Sequence, residues 1–83
     1  MDYSAIAYEL IEKLGGRNNI SALTHCATRI RVVLNNDSKI DKLAIEKMPC
    51  IKGLFSLPNQ YQIIVGSEIV KELHDAMSHQ LLS

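Results

Sequence analysis

The 83-residue sequence contains no tryptophan, one phenylalanine and three tyrosines. Proteins that bind single-stranded nucleic acid stack the bases on aromatic side chains, and four aromatics leave little for such a platform. Lysine plus arginine number 9, as do aspartate plus glutamate, so the chain has no net charge that would attract nucleic acid or an anionic membrane. We therefore predict no nucleic-acid partner, and any anion binding must be local.

Cysteine is scarce, and long apolar runs are absent. The two cysteines, Cys26 and Cys50, do not suggest a disulfide scaffold, so we expect both to be free thiols in a reducing compartment. No apolar run approaches the ~20 residues of a membrane-spanning helix. A chain of this length buries roughly 60–65% of its unfolded surface, which is enough for one core. We expect a single domain over residues 1–83, which could have been excised from a longer chain.

Apolar residues recur at helical spacing in three segments. The first, residues 3–14, is followed by Gly15-Gly16, and glycine accepts the left-handed conformation in which many helices end. The second covers residues 41–48 and ends before a proline. The third is expected to begin at Ser67 as its N-cap. The stripes of the first and third helices consist of Ile6, Leu10, Leu14, Ile69, Leu73 and Met77.

Four further segments have the composition of β-strands: residues 20–25, 29–34, 51–57 and 61–65. The resulting order is αββαββα. Two hairpins and three amphipathic helices predict an α+β fold, in which a four-stranded antiparallel sheet has three helices packed on one face. The other face of the sheet would be open to partners. The residues expected in the core are Ile6, Leu10, Ile30, Val32, Ile63, Val65, Ile69 and Leu73.

The segment Thr24–Arg31 combines a thiol, hydroxyl groups and two guanidinium groups. A free thiol has a pKa of about 8.5 and reacts as the thiolate, which nearby cations favour. In a strand, Arg29 and Arg31 would share one face, and each presents a planar fork that matches two phosphate oxygens. Thr28 adds a hydroxyl and a backbone amide close to Cys26. The cluster therefore predicts a site where a nucleophile meets a multiply charged anion.

The segment Thr24–Arg31 leaves two other interpretations open, one non-enzymatic and one enzymatic. An isolated cysteine is most often a small buried hydrophobe, and arginines often form the solvated side of a strand, so a non-enzymatic α/β binding module is one alternative. A small cysteine-dependent phosphatase is the other. The tyrosine phosphatase loop separates its cysteine and arginine by five residues, whereas Arg31 follows Cys26 after four, and Val32 occupies the required position.

A metal site is the remaining alternative, because the chain also contains three histidines. Neither Cys-x-x-Cys nor His-x-x-x-His spacing occurs, although His74 and His79 lie five residues apart. We therefore predict no metal ligands and interpret these histidines as surface residues. Cys50 is interpreted as a packing or loop residue, since only Lys47 and Lys52 are cationic near it.

Several elements resemble, in order, the IIB domains of sugar phosphotransferase systems, in the glucose, sucrose and β-glucoside superfamily. The specific element is Cys-x-Thr-Arg-x-Arg at residues 26–31, and the resemblance runs from about Ile6 to about Leu73. The tripeptide Leu57-Pro58-Asn59 differs from the Asn-Ala-Gly that often stands there, which bears on the sugar subclass. The other matching elements are Gly15-Gly16, Asn19-Ile20, Lys52-Gly53 and the run from Gln60 to Gly66.

The resemblance implies a phosphoryl relay without a metal or cofactor. Cys26 would accept a phosphoryl group from a histidine of phosphorylated IIA and pass it to the sugar bound by the membrane IIC domain. Thr28, Arg29 and Arg31 would bind the phosphoryl group, and Gln62 would lie beside them. The domain would then be the phosphotransferase component of a IIBC or IIABC chain, or dock on IIC, at the cytoplasmic face of the bacterial inner membrane.

Overall fold

The computed structural model describes residues 1–83. Its order is αββαββα, so the predicted fold class is confirmed. The elements are α1 (Tyr3–Lys13), β1 (Ile20–His25), β2 (Arg29–Leu34), α2 (Lys42–Glu46), β3 (Gly53–Leu57), β4 (Gln60–Ile64) and α3 (Val70–Leu82). β1 and β2 have the predicted bounds, whereas β3 begins at Gly53 rather than at residue 51. No helix has the length and apolarity that crossing a bilayer requires.

The four strands form one antiparallel sheet in the order β1-β2-β4-β3, so β2 and β4 are central. Arg31 on β2 lies opposite Thr24 on β1 and opposite Gln62 on β4. Phe55 on the edge strand β3 is also paired with Gln62. Because directly opposite residues point to the same side of a sheet, these four residues form one row across it.

Burial alternates along β2, and this alternation separates the core from the open face of the sheet. Ile30 and Val32 are fully buried, whereas Arg31 between them is exposed. Every residue predicted for the core is buried except Ile6, which packs at its margin. The buried face of α1 is centred on Ala7 and its neighbours one turn away, which leaves Ile6 at the edge of that face.

A buried asparagine fixes the end of α1. Gly15 and Gly16 have φ angles of 106° and 93°, as the predicted helix end requires. The Nδ2 group of Asn19 donates to the carbonyl oxygens of Leu14 (2.7 Å) and Asn36 (3.1 Å), and its Oδ1 accepts from the Asn36 amide (2.9 Å). A side chain at Gly15 would place its Cβ 2.5 Å from that Nδ2 atom. The site therefore requires glycine, and one amide links α1 to the segment after β2.

The predicted start of the third helix is wrong. Helix α3 begins at Val70, its N-cap residue is Ile69, and no side chain caps it. The backbone amides of Ile69 and Val70 instead donate to the carbonyl oxygen of Gly66, at 3.2 and 3.1 Å. Ser67 lies in this turn, where the main chain makes the bonds that its hydroxyl was expected to make.

Candidate functional site

The loop between β1 and β2 carries the thiol that the sequence singles out. The Cys26 amide donates to the carbonyl oxygen of Arg29 (2.9 Å), which closes the hairpin. The Val65 amide donates to the carbonyl oxygen of Thr28 (3.0 Å), which ties the loop to the chain after β4. Cys26 is half-buried and is a free thiol. The main chain of the loop is thus anchored on two sides while the sulfur keeps access to solvent.

The surroundings of Cys26 favour its thiolate. The backbone amide of Thr28 is the largest cause that lowers the pKa of Cys26, and the amide of Arg29 acts in the same direction. The Arg31 guanidinium lowers this pKa further, by its charge and as a hydrogen-bond donor, whereas partial burial opposes the shift. Backbone amides that converge on one point suit an anion as well as a thiolate.

The surroundings of Cys50 disfavour its thiolate. It is half-buried against the core, and burial raises its pKa, with the Glu9 carboxylate adding to the effect and its own backbone amide opposing it. Cys26 should therefore be alkylated by iodoacetamide faster than Cys50 at neutral pH, because only the thiolate reacts. The pH at which alkylation is half-maximal should lie below that of an ordinary thiol for Cys26 and above it for Cys50.

Mass spectrometry of the two cysteine peptides at a series of pH values measures both midpoints. The control is the chain in denaturant, in which the two cysteines should titrate alike because their folded surroundings are gone. Equal midpoints in the folded chain would contradict the assignment.

The two arginines have different contacts. Arg29 donates from Nη1 to Oε1 of Gln62 at 2.6 Å, and its guanidinium carbon lies 5.0 Å from the centroid of the Phe55 ring. Its side chain therefore contacts β4 and β3, and only its backbone amide acts on the thiol. Arg31 is exposed, and its side chain is the one that acts on the sulfur of Cys26. The expectation that both guanidinium groups act on the thiol is not what the structure shows.

The structure also places two histidines beside the loop. The rings of His25 and His74 lie with centroids 4.5 Å apart, and His25 Nδ1 is 3.2 Å from the carbonyl oxygen of Cys26. His74 Nδ1 lies 3.1 Å from the Asp75 carboxylate. His74 is a partly buried surface residue, since α3 packs against β1 and leaves 19% of its side chain exposed. His79 is exposed, as expected.

Two observations bear on the alternatives. No group of three or more histidine, cysteine, aspartate or glutamate side chains lies close enough together to hold a metal ion. Val32 occupies the position at which a phosphatase loop would require arginine, and it is fully buried in the core. The arginine that such a phosphatase loop needs at this position is therefore missing.

The candidate site, defined by Cys26, Thr28, Arg29, Arg31 and Gln62, lies on an open surface. The surface has three pockets, and other residues line all of them. A second protein surface can therefore approach the thiol directly. Phe55 and His74 are the neighbours of the site that the sequence analysis missed.

Comparison with known protein sequences identifies similar chains. Residues 8–41 match the family model described as phosphotransferase system, EIIB. The sucrose-specific EIIBC component of Pasteurella multocida is 49% identical over 81 residues, or 98% of this chain. The sucrose-specific EIIBC component of Bacillus subtilis is 48% identical over 80 residues, or 96% of this chain. The chain spans 17% of the length of each of these curated relatives.

One solved structure is similar in both fold and sequence. It is the crystal structure of one domain of the phosphotransferase system IIabc component from Clostridium difficile. The two structures superpose with a TM-score of 0.86 at 40% sequence identity, over 93% of this chain and 80% of the other. The similarity thus covers nearly the whole fold rather than the cysteine loop alone.

Proposed function

Because the chain belongs to the EIIB domains of sugar phosphotransferase systems, in the glucose-type superfamily, we propose that it is the phosphoryl-relay domain of a sugar importer. In this role Cys26 accepts a phosphoryl group from a phosphohistidine of a IIA domain or protein. It then passes the group to a sugar held by a membrane IIC domain. The observation that carries the proposal is the Cys26 loop, in which the Thr28 amide and the Arg31 guanidinium lower the pKa of an accessible thiol.

The proposed relay has two steps. In the first, the Cys26 thiolate attacks phosphorus, the new P–S bond forms, and the P–N bond of the phosphohistidine breaks. The leaving imidazole nitrogen keeps the electron pair and takes a proton from solvent. In the second step a sugar hydroxyl oxygen attacks phosphorus, its proton passes to a base at the IIC site, and the P–S bond breaks to return the thiolate. Each step needs mainly in-line positioning and charge neutralisation.

The residues around the loop match these needs. A phosphoryl group on sulfur brings up to about two negative charges and three acceptor oxygens. The backbone amides of Thr28 and Arg29 already act on the sulfur and would face the new oxygens. Arg31 supplies a charged fork beside the sulfur, and Arg29, supported by Gln62, supplies a second fork on the same face of the sheet. We propose Thr28, Arg29, Arg31 and Gln62 as the phosphate-binding set.

The relatives suggest the partners and the sugar. Their EIIBC names describe chains in which the B domain is joined to a C domain, which supports a membrane IIC partner and a position at the cytoplasmic face of the membrane. Their sucrose specificity supports sucrose or a related glucoside as the sugar. Pro58 and Asn59 form the turn between β3 and β4 in this chain, and Leu57 is the last residue of β3. The sugar itself would bind to IIC, so this turn does not select it.

Intact-mass analysis tests the function as a whole. Incubation with a phosphorylated IIA protein of a sucrose-type system should add one phosphoryl group to the chain, and unphosphorylated IIA is the control. A chain that binds IIA but gains no mass would be a binding module. A chain that releases phosphate from a chromogenic phosphate ester would be a phosphatase. Either result would overturn the proposal.

A further inference from the structure

Phe55 is half-exposed on the outer face of the sheet, beside a charged side chain. Its exposed fraction is 50%, and Leu57, two residues along the same strand, is exposed to a similar 45%. Unlike Leu57, Phe55 contacts a cation: the guanidinium carbon of Arg29 lies over its ring, 5.0 Å from the centroid. The core gains little from this ring, so its contact with the arginine is the feature that needs an explanation.

The pairing of the strands explains how the two side chains meet. Phe55 is opposite Gln62, whereas Arg29 is opposite Ile64, one row further along the same face. The Arg29 side chain therefore crosses β4 diagonally to reach β3. In its own row, β3 contributes Gly53, which has no side chain to compete with the ring. Diagonal neighbours on one face of a sheet are within reach of long side chains.

We propose that Phe55 is a positioning residue for Arg29 during phosphoryl transfer, an inference that rests on the function proposed above. The ring holds the guanidinium from below, and Oε1 of Gln62 holds it at one edge through Nη1. A guanidinium only donates, so Gln62 must present its oxygen to it. These two contacts restrict where the group can lie.

The geometry leaves most of the arginine available. A guanidinium has five N–H donors, and the contact with Gln62 uses a donor on Nη1. The cation–π contact depends on the positive charge of the group and the charge distribution of the ring, so it does not require a hydrogen bond from the guanidinium. A free arginine side chain has to lose rotamer freedom when it binds a phosphoryl group. Phe55 removes part of this cost in advance without occupying the donors that the phosphoryl oxygens need.

The experiment compares Phe55→Leu with Leu57→Ala in phosphoryl transfer from phosphorylated IIA. Phe55→Leu keeps an apolar side chain but removes the ring, and we expect the limiting rate to fall about two- to fivefold, as the strength of an exposed cation–π contact allows. The IIA concentration for half-maximal rate should not change. Leu57→Ala is the matched control and should transfer at the parental rate. Phe55→Tyr, which keeps the ring, should restore most of the rate.

Two further readouts separate positioning from docking. In an Arg29→Ala background, Phe55→Leu should cause no further loss, because the residue acts through the arginine. The NMR signals of the Arg29 side chain should show ring-current shifts in the parent that disappear in Phe55→Leu. An equal fold loss in both backgrounds, or a change only in the half-maximal IIA concentration, would overturn the inference.

The remaining outcomes are also decisive. If the parent accepts the phosphoryl group and Phe55→Leu matches the Leu57→Ala control, the positioning role is overturned while the proposed function stands. If the parent accepts no phosphoryl group from IIA, the proposed function fails and this role fails with it. Unshifted Arg29 signals in the parent would overturn the contact itself, whatever the function.

Discussion

Phosphorylated IIA should label the Cys50→Ser variant as fully as the parent chain and should leave Cys26→Ser unlabelled. The two thiols differ in surroundings rather than in chemistry. The pKa of Cys26 is lowered, first by the Thr28 amide, whereas burial raises the pKa of Cys50. A serine hydroxyl at position 26 would stay protonated, so it could not replace the thiolate as nucleophile. The expected effect is a complete loss of label.

Peptide mass spectrometry after incubation with phosphorylated IIA measures this result for each cysteine separately. Cys26 lies in a loop and is only half-buried, so Cys26→Ser should unfold at the temperature of the parent. That control shows that a lost label reflects chemistry rather than folding. Equal labelling of the two variants, or label on the Cys50 peptide of the parent, would refute the assignment.

Replacing Val32 with aspartate should unfold the domain, whereas Arg31→Ala should leave its stability nearly unchanged. Val32 is fully buried on the central strand β2, and the core around it consists of hydrophobic side chains. A carboxylate there would be buried without a partner, at a cost we place above about 4 kcal/mol. Small domains are stable by only about 5–15 kcal/mol. The exposed neighbour Arg31 should change stability by no more than about 0.5 kcal/mol.

Urea unfolding of the three chains measures these differences. Val32→Thr has nearly the shape of valine and carries a hydroxyl instead of a charge, so it should fold with a midpoint below that of the parent, whereas Val32→Asp should show no cooperative transition. A Val32→Asp chain with the parental midpoint would show that this face of β2 is not buried. The face assignment of both arginines would then be wrong as well.

Much of the fold was predictable because one face of each central strand is buried. In β2, arginine and apolar residues alternate, and only one orientation puts Ile30 and Val32 in the core. Asparagine-rich segments precede β1 and follow β2, which explains why the outer bounds of this hairpin agree with the sequence prediction. The start of α3 was not predictable from Ser67, because the carbonyl oxygen of Gly66 satisfies the amides that a cap would serve. Local composition does not show whether a side chain or a main-chain carbonyl oxygen will accept these hydrogen bonds.

The residues of the candidate site, too, could be predicted only in part. Cys26, Thr28 and the two arginines are close in sequence, so one short segment was enough to predict them together. Phe55 and His74 come from a distant strand and a distant helix. Their places depend on the pairing of β3 with β4 and on the packing of α3 against β1, which periodicity does not specify. The leading effect of the Thr28 amide depends on the conformation of the loop, which no side-chain pattern encodes.

The buried amide of Asn19 has a consequence for misfolding. It lies just before β1, at the end of the β1–β2 hairpin that is remote from the cysteine loop. If β2 slipped by one residue against its neighbours, Arg29 and Arg31 would turn toward the helices and their apolar neighbours toward solvent. The two hydrogen bonds between Asn19 and Asn36 join the start of β1 to the end of β2, so they form only when the hairpin is in its native register. Slipped pairings therefore lose these two hydrogen bonds of a buried amide, and an uncharged residue remote from Cys26 helps to keep both cations on the correct face of the sheet.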